Sequence, residues 1–108
     1  GTLHQNITKA CVSSIGTGTA TVSNSWFQMN MSIINVGAWV LRFSKAADNS
    51  GTTGATVSTP ITGLGGNGCS GGSPDMFNGQ IAAFIAYNRI LSGAEITQIE
   101  AYLGKFGV

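Results

Sequence analysis

A chain of 108 residues has room for one domain with a modest core. Only 8% of it is charged and the net charge is +1 without any Lys/Arg cluster, so the electrostatic footprint of a nucleic-acid binder is absent, and the longest apolar run is too short to span a bilayer. Typical soluble domains are roughly 25% charged; here 30 Ser, Thr and Asn with 16 Gly supply the polarity, which fits a secreted or assembled structural protein rich in strands and turns rather than a cytosolic helical one.

Taken in order, residues 1–5 read as a frayed or linker end. The chain opens on Gly1 rather than Met and shows no signal peptide, so it reads as a processed product or an excised domain. Residues 7–12 alternate as a strand does, residues 13–19 are Gly/Ser/Thr-rich and predict a turn or short loop, and residues 19–22 predict a second strand.

Residues 26–34 carry the clearest alternation. Phe27, Met29, Met31 and Ile33 share one face, expected to be core, and Trp26, Gln28, Asn30 and Ser32 share the other. Asn35-Val36-Gly37 predicts a turn, with residues 38–44 returning as the hairpin partner. In that strand Trp39, Leu41 and Phe43 face one way and Val40 and Arg42 the other, which makes Trp39 core. Residues 45–56 are polar and Gly-containing, a predicted loop. Residues 57–61 predict a short strand, placed at an edge by Pro60. Residues 63–75 hold six glycines and one proline, a long loop.

The stretch from Phe77 to Leu103 organises the rest. Residues 81–87 are seven apolar residues in a row, predicting a strand covered on both faces. Ser92 and Glu95 make an S-x-x-E capping box, with Leu91 and Ile96 placed as a hydrophobic staple. Ile96, Ile99 and Leu103 give one apolar helical stripe, and Gly104 is placed to end the helix in a left-handed conformation. Tyr87 and Tyr102 are expected in the core, packing helix against strand.

The run G-x-I-A-x-x-x-x-Y-N-R-x-L-S-x-x-E-I-x-x-x-E-x-Y-L closely resembles the last strand and closing helix of laminin-G-like, concanavalin A-like jelly-roll domains, of the kind found in bacterial extracellular proteins and phage structural proteins. It covers about 30 of the 108 residues; elsewhere Asn24-Ser25-Trp26 before an alternating strand is similar to a family segment. The chain departs from the family at Ala83, where those domains often carry an acidic residue, and lacks their Tyr-x-Asn-Gly turn. A full domain of that type is longer, so either the fold is trimmed, or its N-terminal strands are missing or supplied by another chain. The resemblance implies an all-β fold: an antiparallel β-sandwich closed by one short C-terminal α-helix, a single domain over 1–108, serving as the C-terminal portion of a larger extracellular or virion protein.

Chemistry-bearing groups are sparse. Gly63-x-Gly65-x-x-Gly68 matches the dinucleotide fingerprint only in letters, since no helix follows it to hold a pyrophosphate. Glycosidase chemistry needs two facing carboxylates, and the four present (Asp48, Asp75, Glu95, Glu100) lie in loops or on the helix; His4 has no arranged Ser or Asp partner. The chain therefore reads as non-enzymatic. Calcium, which many laminin-G-like domains bind, would find oxygens on Asp48, Asn49, Asp75 and Asn78, with Asp75 and Asn78 flanking the predicted strand as the best pair; Asp and Asn beside Gly also serve as plain turn residues, and that reading is favoured. No other cofactor is implied. Cys11 and Cys69 are two free thiols or one bridge closing a long loop, worth roughly 4 kcal/mol; the extracellular composition favours the bridge, and their spacing does not suit zinc. The sequons Asn6-Ile7-Thr8 and Asn30-Met31-Ser32 are accidental outside a eukaryotic secretory route.

The row Trp26, Gln28, Asn30 and Ser32 has the chemistry of a sugar site, an aromatic face with amides and hydroxyls nearby. Against it, a large aromatic is highly buried on average, which favours Trp26 lying under a loop. Two functions follow as expectations. The first is a recognition or adhesion module binding glycans or a cell or particle surface, as the resemblance implies. The second is a purely structural virion or fibre domain, packing as a homo-oligomer or within a larger assembly, where low charge is tolerated and strands can be donated. An exposed Trp26 row argues for the first, and a wide apolar face with unpaired sheet edges for the second.

Overall fold

The computed structural model describes residues 6–9, 13–22, 24–54 and 79–106. Over these the chain is mostly antiparallel sheet followed by one C-terminal helix. Strands β1 (Asn6–Lys9) and β2 (Ser13–Thr17) form a hairpin; β3 (Met29–Ile33), β4 (Ala38–Phe43) and β5 (Ala46–Thr52) form a three-stranded sheet in the order β3-β4-β5; helix α1 spans Gly93–Leu103 and tightens into a 3-10 turn over Gly104–Phe106.

The β3–β4 hairpin follows the alternation in the sequence. Met29 lies opposite Phe43, Met31 opposite Leu41 and Ile33 opposite Trp39, so the apolar rows of both strands share a face. Asn35 and Val36 turn the chain, Val36 at φ 52°, and the Ile34 amide donates to the Ala38 carbonyl at 2.8 Å. A positive φ is costly for a β-branched residue, and the closing hydrogen bond holds it.

Two expected loops are strands. Residues 46–52 form β5, joined to β4 through Ser44 and Lys45, both at positive φ (47° and 72°). Positive φ at two consecutive turn residues is the geometry whose twist matches a two-residue hairpin; the usual sequence for it is Asn-Gly, so Ser-Lys gives no local signal. β5 is polar because most of it is exposed, and strand formation there rests on the pairing β4 offers rather than on propensity. Asp48 is the extra residue of a bulge between the pairs Leu41–Asn49 and Arg42–Ala47. Likewise residues 13–17 form β2 against β1, whereas residues 19–22 contain no strand.

The core is small. Among the described residues Trp39 and Leu41 are the buried hydrophobics, with Ile15 and Ile33 packed beside them. The Trp39 ring is clasped by two backbones: a Cβ built on Gly16 of β2 or on Gly51 of β5 would lie 2.6 Å from it. Glycine is required at both positions because the indole occupies the space a side chain would take. Phe27 stacks on Phe43 at 5.3 Å between ring centroids. Met29 and Met31, on the same face, are 51% and 47% exposed, so the expected core row is covered at its Ile33 end and open at its methionines.

Residues 81–87 are not a buried strand. No strand is assigned there, and Ile81, Phe84, Ile85 and Tyr87 are all among the exposed large hydrophobics. Seven apolar residues predict a covered strand only if something pairs with them, and among the described residues nothing does. Tyr102 is exposed as well, packing edge-on against Phe106 at 6.0 Å, so neither tyrosine is core. Gly104 is right-handed (φ −58°, ψ −21°), because the chain continues into the 3-10 turn instead of reversing. The predicted strand at 57–61, the Gly-rich loop at 63–75 with its fingerprint-like glycines, His4, Cys11 and Cys69 lie outside the described residues.

Candidate functional site

The row Trp26, Gln28, Asn30 and Ser32 is where sequence chemistry and structure meet. Trp26 is 46% exposed, not buried under a loop. The row behind it is not an open platform. Gln28 is buried, its Nε2 donating to the Glu100 carbonyl at 3.0 Å, while Asn30 and Ser32 are half-buried. Alternation places Asn30 opposite Arg42. Arg42 Nε donates to Glu100 Oε1 at 2.5 Å and Nη2 to Oε2 at 3.2 Å, and Nη2 also donates to the Lys45 carbonyl at 2.7 Å.

Helix α1 is thus fastened to the polar face of β3 and β4 by a seam of Gln28, Arg42 and Glu100. The Glu100 side chain is only 8% exposed and that of Arg42 27%. The hydrogen bond to Glu100 is the largest cause raising the Arg42 pKa above its ordinary value. Sequence reasoning gave Glu100 no role. A signal existed: Ile96, Ile99, Glu100 and Leu103 fall on one helical face, and a charge inside an apolar stripe asks for a buried partner.

Glu95 does what the capping box predicts. The Glu95 amide donates to Ser92 Oγ at 3.2 Å and the Ser92 amide to Glu95 Oε1 at 3.0 Å. Arg89 adds a two-pronged contact, Nη1 to Oε1 at 3.1 Å and Nη2 to Oε2 at 2.5 Å. The Arg89 guanidinium first, then the Ser92 amide, hold the Glu95 carboxyl down at about 2 from an ordinary 4.5. Arg89 also lies 6.0 Å from the Tyr87 ring centroid.

Asp48 serves the fold. Its Oδ1 accepts from the Thr19 amide (2.8 Å), the Thr19 hydroxyl (2.7 Å) and the Ala20 amide (2.8 Å), while Asn49 Nδ2 donates to the Thr17 carbonyl at 2.7 Å. The bulge that projects Asp48 therefore ties the exit of β2 to β5. Asp75 and Asn78, the preferred calcium pair, lie outside the described residues, as do both cysteines; among the described residues no three of His, Cys, Asp and Glu gather into a metal-binding group. Asp48, Glu95 and Glu100 are each held by donors of the chain and anchor parts of the fold.

Many large hydrophobics are exposed among the described residues: besides Trp26, they include Met29, Met31, Val40, Ile81, Phe84, Ile85, Tyr87 and Tyr102. No helix among the described residues is long and apolar enough to cross a membrane. Comparison with protein-family models, curated proteins and solved structures finds no match to the chain.

Proposed function

We propose that this chain is a non-catalytic structural module that works inside an assembly, its sheet and apolar surface being completed by neighbouring polypeptide. The carrying observation is the exposure of large hydrophobics among the described residues: Met29, Met31, Ile81, Phe84, Ile85 and Tyr87 are each between 38% and 53% exposed, where such side chains in a self-contained domain are mostly covered. Completion of a β-sandwich would cover apolar residues such as these, and the resemblance of residues 79–103 to the closing strand and helix of a laminin-G-like, concanavalin A-like domain supports that finer architecture. An extracellular or virion setting suits so few charges.

The glycan-binding reading keeps one observation in its favour, the exposed indole of Trp26, but the amide beside it is spent on α1. Light scattering on the chromatographed chain separates the two. The assembly reading expects a mass of more than one chain. A well-behaved monomer that binds a glycan array, and loses that binding in Trp26→Ala, replaces it with the recognition reading.

A further inference from the structure

The geometry points to a specific contact in that assembly: residues 81–87 of one copy add as a strand to the outer edge of β3 in a second copy. The inference rests on the assembly reading and names its partner. Among the described residues each half of the contact lacks a partner. β3 is at the edge of the β3-β4-β5 sheet, and among the described residues no strand pairs with its outer side. The Ser44 amide bonds the Gln28 carbonyl and the Ile34 amide bonds the Ala38 carbonyl, so in an antiparallel ladder the even-numbered residues of β3 spend their backbone groups on β4. Met29, Met31 and Ile33 then direct theirs outward, as a template for one more strand.

Residues 81–87 are the complementary half. They form no strand, and no backbone hydrogen bond among the described residues involves them. The segment is seven residues long and β3 is five, so it spans the edge. Neither carries a charge, so nothing repels the approach. In strand conformation Ile81, Ala83, Ile85 and Tyr87 share a side and can extend the face on which Met29 and Met31 stand exposed. Because each copy carries both halves, a second copy suffices, and reciprocal exchange closes a two-fold dimer in which both β3 edges are paired.

The test compares the full chain with Ile85→Pro, which removes a donor from the added strand, and Met31→Lys, which puts a charge on the receiving edge. Both sites are exposed, so Trp39 should keep its buried fluorescence in each. Mass by light scattering is read together with hydrogen exchange at Met29, Met31, Ile33 and residues 81–87. The expected result is a dimer with slowed exchange at both segments, reduced to monomer by either substitution with at least tenfold faster exchange. An oligomer that survives both substitutions overturns this contact and leaves the assembly reading standing. A monomer with fast exchange at both segments overturns both readings. A monomer with slow exchange at both means that 81–87 closes on its own β3, and overturns exchange between copies.

Discussion

Glu100 shows how one buried charge can set the position of an element. Its carboxylate is nearly enclosed, its carbonyl takes the Gln28 amide, and both oxygens meet Arg42. Fully buried pairs cost about 3–5 kcal/mol when one partner is removed and exposed pairs give about 0–1. Arg42 is partly wet, so Glu100→Ala should cost about 1–3 kcal/mol in denaturant unfolding. The Arg42→Met, Glu100→Met double variant should lose less than the two single losses added, since it leaves no orphaned charge. Strict additivity would mean that the contact does not hold α1 to the sheet. The same pair shows what sequence reasoning lacked at the face bearing Trp26, Gln28, Asn30 and Ser32. Alternation identifies which residues share a face, and it did so for every pair of the β3–β4 register. It does not say which face is covered, because that depends on an element some seventy residues away (|i−j| = 72 for Gln28 and Glu100).

At the scale of elements, legibility tracked apolar patterning. The capping box, the helix and the β3–β4 hairpin are written in capping residues and in apolar residues at helical or alternate spacing, and each is present. The strands β2 and β5 have no local signature and exist by pairing. Residues 81–87 have the opposite character, a strong apolar signal without a partner among the described residues to answer it. The helix start also carries a pH dependence. Glu95 titrates at about 2 when folded against an ordinary 4.5, so between these values the unfolded chain binds more protons and stability rises with pH. The contribution is complete above about 4.5 and is lost as pH falls toward 2. Helical circular dichroism should therefore drop across that window, and Glu95→Gln should remove that share of the drop. An unchanged profile in Glu95→Gln would mean that the Arg89 and Ser92 contacts do not persist in solution. Ser92→Ala should cost about 1 kcal/mol at neutral pH through loss of the cap.

For the whole molecule the ratio of core to surface governs behaviour. The buried hydrophobic core among the described residues is Trp39 and Leu41. On the assembly proposed above, the folded state draws stability from association as well as from that core. Mass action gives this a signature: an assembly that forms only from folded chains melts higher as concentration rises, and a monomer does not. For a dimer of a domain this size, each tenfold increase in concentration should raise Tm by about 3–6 °C. Ile85→Pro should abolish that slope while leaving the melting point at high dilution unchanged, because the substituted segment makes no backbone hydrogen bond within the described chain. A Tm independent of concentration for the native chain would place its stability within the single copy and remove the reason for a partner.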